Sequence, residues 1–107
     1  MIDINELRRA AENDDNVFIT QHMLSRQGLR KIQYDDIISA IRSGEIIEQY
    51  PSDYPHPSCL VLGIDTDNEY LHVVCGLSGE YLWIITAYYP DEDKWNSDFK
   101  TRKEYNE

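Results

Sequence analysis

Over roughly the first forty residues apolar positions recur every three to four places, and beyond them every second place, so the chain reads as helices followed by strands. Ile4, Leu7, Ala10 and Ala11 share one helical face. Asp3 with Glu6 has the spacing of an N-terminal capping pair, and a first helix is predicted over about residues 4–13. The run Asn13-Asp14-Asp15-Asn16 ends it, because these side chains compete for backbone hydrogen bonds and favour turns. Thr20 is placed to cap a second, short helix from Gln21 to about Gln27, anchored by Phe18, Ile19, Met23 and Leu24 and closed by Gly28. A third helix, about Tyr34 to Arg42, carries Asp35 and Asp36 at its positive dipole end, buries Ile37, Ile38 and Ile41, and stops at Gly44.

From Glu45 onward β-branched and aromatic residues alternate with polar ones. Strands are predicted at Glu45–Tyr50, Cys59–Asp65, Tyr70–Cys75 and Tyr81–Tyr89. The connections Asp65-Thr66-Asp67-Asn68-Glu69 and Gly76-Leu77-Ser78-Gly79-Glu80 are short enough to make the last three an antiparallel meander. Pro51, Pro55 and Pro57 forbid ladder bonding between the first two strands and leave an extended loop carrying Tyr54 and His56. After Pro90, the segment Asp91–Trp95 is read as the start of a short terminal helix. The expected fold is therefore α+β, a single domain over residues 1–107, with two to three N-terminal helices on one face of a four-stranded antiparallel meander.

Pairing Asp65 with Tyr70 and Gly76 with Tyr81 sorts the meander into two faces. Leu60, Leu62, Ile64, Leu71, Val73, Cys75, Leu82, Ile84 and Thr86 form the face to be covered by helices. The other face holds Val61, Gly63, Tyr70, His72, Val74, Trp83, Ile85 and Tyr89 and reads as partly open, with Gly63 opposite His72 leaving a vacancy beside an imidazole.

Charge changes the picture. The formal net charge is −10, which repels nucleic acid and anionic membrane, so any RNA contact must come from a local cluster of cations. Two clusters stand out: Arg26, Arg30, Lys31 and Arg42, and Lys94, Lys100, Arg102 and Lys103. No apolar run approaches the roughly 18 residues that cross a bilayer, and the start lacks a signal peptide's basic and apolar pattern, so a cytoplasmic location is expected. Cys59 and Cys75 lie in apolar runs without metal-type spacing and are expected to be reduced thiols.

The chemistry-bearing candidates are few. His22 and Arg26 are four apart on the predicted second helix, with Arg30 just beyond, and this pairs a near-neutral base with a guanidinium able to hold a phosphodiester. The competing reading is a solvated pair on a short amphipathic helix. His72 is either a site imidazole or a satisfied strand histidine, and His56, between two prolines, is read as solvated. Tyr70, Trp83 and Tyr89 offer rings for stacking bases, or simply pack. Neither C-x-x-C nor H-E-x-x-H occurs, so no metal is expected, and no glycine-rich phosphate loop or G-x-S-x-G elbow is present.

The stretches Ile19-Thr20-Gln21-His22 through Arg26 to Arg30-Lys31-Ile32, Asp35-Asp36-Ile37, Gly44-Glu45-Ile46-Ile47, Cys59-Leu60-Val61-Leu62-Gly63, Leu71-His72-Val73-Val74 and Ile85-Thr86-Ala87-Tyr88-Tyr89-Pro90 resemble a bacterial domain-of-unknown-function family. Its pattern is I-T-x-H-A-x-x-R-M-x-x-R-G-I, an acidic helix, G-x-I-I, a leucine-glycine strand, L-H-V-V and I-T-x-Y-x-P. That family looks like a distant relative of the RelE-type and motility-quorum-sensing-type toxins, which are metal-independent ribonucleases. The resemblance implies a RelE-like fold, a toxin-antitoxin setting with a small zinc-finger-type antitoxin as partner, no cofactor, and cleavage of single-stranded RNA. It makes His22, Arg26, Arg30 and His72 the catalytic candidates, and Tyr70, Trp83 and Tyr89 the substrate-binding ones. Met23, Gln27 and Lys31 depart from the pattern. The alternative function is a non-enzymatic interaction module that uses an open sheet face or strand edge.

Overall fold

The computed structural model describes residues 1–20 and 32–103. The first helix begins where its capping pair predicts: the Asp3 carboxylate accepts from the Asn5 N–H at 2.8 Å, and Glu6 accepts from the Asp3 N–H at 3.2 Å. This helix, α1 (Ile4–Ala11), ends earlier than expected. The Asn13 side chain takes the Asp15 N–H at 3.0 Å and starts a 3-10 turn over Asp14–Asn16. The predicted second helix lies outside the described residues. Phe18 and Ile19, expected as its anchors, instead belong to a strand, β1 (Val17–Ile19).

Asp36 organises the next helix, α2 (Tyr34–Ser43). One carboxylate oxygen accepts from the Gln33 N–H at 2.9 Å, and the other from the Thr66 hydroxyl at 2.6 Å and the Thr66 N–H at 3.1 Å. Burial pushes this carboxyl's pKa up, but the bonds from Thr66 and Gln33 outweigh it and hold the group below the usual carboxylate range. At the far end Arg8 of α1 donates to the carbonyls of Gly44 at 2.8 Å and Ile41 at 3.4 Å, placing a cation on the negative pole of α2.

Four antiparallel strands follow, as the alternation predicts: β2 (Glu45–Tyr50), β3 (Ser58–Ile64), β4 (Tyr70–Ser78) and β5 (Tyr81–Tyr88). The sheet nevertheless has five strands and is mixed, in the order β1-β5-β4-β3-β2, because β1 pairs in parallel with β5. α2 lies across β3 and β4, and α1 packs on α2 and β5. Both helices therefore cover one face.

At the β4–β5 hairpin the register differs from expectation by two residues, Gly76 pairing with Trp83 and Ser78 with Tyr81, which leaves the faces at that end unchanged. At the β3–β4 hairpin it differs by one, and the cause is Asp65. Its carboxylate accepts from the Asp67 N–H at 2.8 Å and the Glu69 N–H at 2.9 Å, so Asp65 belongs to the turn and Ile64, not Asp65, pairs with Tyr70. The slip exchanges the faces of β3. Cys59, Val61 and Gly63 now lie opposite Cys75, Val73 and Leu71 on the helix side, while Leu60 and Leu62 lie opposite Val74 and His72 on the outer side. A bulge at Val74/Cys75 likewise sends Thr86 outward and Ala87 inward. Val73 and Ile84 are fully buried under the helices as predicted, but Leu62 is not among that cluster.

Gly63 thus serves α2 rather than a ligand. A Cβ built there would stand 2.0 Å from the Ala40 carbonyl oxygen, and one at Gly44 would stand 2.4 Å from the same atom. The two glycines let the helix settle onto the sheet at β3.

Candidate functional site

The outer sheet face divides into two regions. One half is covered by the C-terminal segment, residues 91–103. Where a helix was expected after Pro90, the chain makes a single turn, with the Lys94 and Trp95 N–H groups donating to the Asp91 carbonyl, and Trp95 then bridges to Arg102. This segment is latched by His72. Nε2 lies 2.7 Å from the Phe99 carbonyl oxygen and Nδ1 3.3 Å from the Tyr88 hydroxyl, while the ring meets Trp95 edge-on at 4.5 Å. A neutral imidazole that donates from Nε2 and accepts the Tyr88 proton at Nδ1 satisfies both contacts. Arg102 completes the latch. It donates to the Glu48 carboxylate at 2.8 and 3.0 Å and lies over the Trp95 ring at 4.8 Å, and Tyr50 also donates to Glu48.

His72 is consequently shut off from solvent, with 0% of its surface exposed. Burial drives its pKa below the ordinary imidazole value, opposed by the Phe99 carbonyl and the Glu48 charge and assisted by the Arg102 charge. The fold therefore favours the neutral ring. Its stabilising contribution is fully present above the unfolded value of about 6.5 and is lost as pH falls through the lower, folded value. We expect the urea midpoint to drop between about pH 7.5 and 5.5, and to drop less in a His72→Phe variant. Equal slopes in the two proteins would refute the assignment.

The other half of the face holds a slot of about 250 Å³ with an almost wholly apolar lining: Thr20, Tyr54, Pro55, His56, Gly76, Trp83 and Ile85. β1 builds one wall. The Thr20 N–H and hydroxyl donate to the carbonyls of Ile84 at 3.0 Å and Ile85 at 3.1 Å, continuing the pairing with β5. Phe18 stacks on Trp83 at 4.8 Å, and the proline loop brings His56 over Trp83 at 6.2 Å. Tyr54 stands 92% exposed beside them. The Trp83 Nε1–H is buried and meets no acceptor among the described residues, an arrangement that costs about 1–3 kcal/mol unless a partner arrives.

The predicted site residues are thereby distributed. His22, Arg26 and Arg30 lie outside the described residues. His72 does not face a vacancy beside Gly63; it pairs with Leu62 across β3 and sits under the C-terminal segment. It is four positions along β4 from Gly76, the slot residue, a separation on the order of 13 Å. Trp83 lies in the slot. Tyr70 and Tyr89 line a different recess with Glu69, Asp91, Glu92 and Asp93, whose carboxylates repel a phosphate, and Tyr89 donates to Asp65 at 2.7 Å. Two of the four C-terminal cations are engaged, Lys100 pairing with Glu45 at 2.7 Å and Arg102 with Glu48. Among the described residues no group of His, Cys, Asp and Glu is arranged to hold a metal ion, and no helix is long and apolar enough to cross a membrane.

Sequence reasoning missed Phe18, Tyr54, Pro55 and His56. The proline-rich stretch around His56 was the available signal, since prolines on either side fix where a ring can point.

No curated protein and no solved structure gives a match to the chain. A family match does cover residues 19–89, from the last residue of β1 to the residue after β5, and the family is described as Domain of unknown function (DUF4258). This span takes in Thr20, Gly76, Trp83 and the proline loop, together with most of the sheet, and the chain belongs to the DUF4258 family.

Proposed function

We propose that this protein is a metal-independent endoribonuclease of the bacterial toxin type, acting on single-stranded RNA, with the aromatic slot as its base-holding subsite. The observation that carries the reading is the slot itself: ring faces from Trp83 and His56, an exposed Tyr54, and an indole N–H without an acceptor among the described residues suit a planar heterocycle bearing a carbonyl or ring nitrogen. Chain connectivity adds to it. His22 is two positions on from Thr20 at the slot wall, a backbone span of at most about 7 Å, so the I-T-x-H stretch starts at the subsite.

In this reading His22 takes the proton from a ribose 2′-hydroxyl, and that oxygen attacks the adjacent phosphorus. The 5′-oxygen leaves with a proton from solvent, and Arg26 and Arg30 stabilise the charge gathering on the phosphoryl oxygens. Products are a 2′,3′-cyclic phosphate and a 5′-hydroxyl. His72 contributes by holding the C-terminal segment, which is a structural role. A small antitoxin-type partner and a cytoplasmic location belong to the same proposal.

The acidic charge and the paired state of Lys100 and Arg102 favour a second reading, a non-enzymatic module that binds a protein segment through the slot. RNA cleavage separates the two. Purified protein should cut single-stranded RNA in the presence of a chelator, and Trp83→Ala should raise KM for that substrate by roughly tenfold, the value of one lost stacking contact. Wild-type protein inactive on RNA both with and without ribosomes would overturn the nuclease and leave the module.

A further inference from the structure

Cys59 and Cys75 are Cα partners on β3 and β4, and their sulfurs lie 4.0 Å apart. Both belong to the layer between the helices and the sheet, and neither exposes any surface. We propose that they form a peroxide-closable dithiol, a modification site at which a small oxidant joins β3 to β4 through a reversible disulfide.

Geometry supports closure. Directly opposed residues on antiparallel strands have Cβ atoms about 4.5–5.5 Å apart, whereas a disulfide accepts about 3.5–4.5 Å. The strands need draw together by only about an ångström. Thiols placed merely at random in a core would not share one register position with their sulfurs already in contact.

The two thiols are also unequal. The hydrogen bond from Cys75 lowers the pKa of Cys59 against the opposing effect of burial, while the same bond and burial both raise Cys75. Cys59 is therefore the readier of the two to give up its proton.

The chemistry balances with hydrogen peroxide as the oxidant. The Cys59 thiolate attacks one peroxide oxygen, the O–O bond breaks, and the departing hydroxide takes up the proton Cys59 had released, giving a sulfenic acid and water. Cys75 Sγ then attacks Cys59 Sγ. The S–O bond breaks, the S–S bond forms, and the hydroxyl leaves with the Cys75 proton as a second water. Two electrons pass from the sulfurs to peroxide. Burial sets the specificity: peroxide is little larger than water and enters with the fluctuations that admit water, whereas bulky disulfide reagents do not. The adjacent thiol also intercepts the sulfenic acid before further oxidation.

The test uses the intact wild-type protein. Native protein is exposed to hydrogen peroxide, unfolded in an alkylating agent, and mapped by peptide mass, so that methionine oxidation is read separately. We expect both free thiols to be lost together, a linked peptide pair joining residues 59 and 75 that is two hydrogens lighter than the reduced peptides, and full recovery with a thiol reductant. A bulky aromatic disulfide reagent should label neither cysteine until urea is added. In Cys75→Ala, Cys59 should react more slowly, having lost the bond that lowered its pKa, and should end as sulfinic acid, having lost its resolving partner. Survival of both thiols in the wild type, separate oxidation of each to sulfinic acid, or linkage only between chains would overturn the proposal.

Discussion

Replacing His22 by alanine should lower the rate of RNA cleavage about a hundredfold or more while leaving the fold and thermal stability near those of the wild type. The magnitude is that of a lost general base, which contributes about 10²–10⁴ in rate. His22 carries the prediction because it belongs to the I-T-x-H stretch that starts at the slot wall. His72, by contrast, has both ring nitrogens occupied within the latch. A base must present a free nitrogen to the hydroxyl it deprotonates. The measurement is a single-turnover assay on single-stranded RNA in chelator, with end-group analysis for the 2′,3′-cyclic phosphate. Unchanged cleavage by His22→Ala would assign the activity to another group or to a contaminant. A loss shared equally by His22→Ala and His72→Phe, with both variants folded, would contradict the division of roles drawn above.

The second large effect is on stability. Gly63→Val should destabilise the protein by about 3 kcal/mol or more, at the upper end of what overpacking costs. Every near neighbour of the added Cβ is backbone: the Ala40 carbonyl oxygen at 2.0 Å, with its carbon and Cα both at 2.6 Å. No rotamer change relieves such a contact, so α2 must lift from β3, and Ile37 and Ile41, which are buried beneath it, lose their cover. Urea unfolding followed by circular dichroism gives the number. A change within about 0.5 kcal/mol, the range of an ordinary surface substitution, would mean that the glycine faces open space, as its sequence alone suggested.

That contrast shows where the sequence was legible. Local signals held: the Asp3 and Glu6 pair, the acidic start of α2 and the strand alternation each act within a few residues, and each appears in the structure. The β3–β4 register failed on a single residue. Asp65 reads equally well as the last strand position or the first turn position, and its buried hydrogen bonds to the turn N–H groups and to Tyr89 decide for the turn. With a period of two, that one step moved Leu62 and Gly63 to opposite faces and dissolved the vacancy expected beside His72.

The remaining misses were non-local. Val17, Phe18 and Ile19 form a strand only because β5 is present to pair with them, and no window of sequence around them contains β5. The latch joins β2, β4 and the C-terminal segment through Glu48, His72 and Arg102, residues whose separate positions advertise nothing in common. The candidate site was legible in part. Trp83 was marked as a stacking ring, but its partners Phe18 and His56 arrive from β1 and the proline loop, and only tertiary structure brings them together.

β1 carries a further consequence, in the order of assembly. The bond from Thr20 to Ile85 spans 65 residues of chain, so closing it costs about 2 kcal/mol more loop entropy than closing a hairpin of a few residues. Among the described residues, three ladder pairs and the two Thr20 bonds repay that cost. The hairpins of the meander can form from neighbouring chain, whereas the Thr20 wall of the slot, and Phe18 behind Trp83, must wait until β5 exists and has folded. The subsite is thus a late product of folding, and among the described residues its outer strand is held by fewer ladder pairs than the opposite edge, β2. An incomplete chain that lacks β5 can hold its own hairpins and still have no slot.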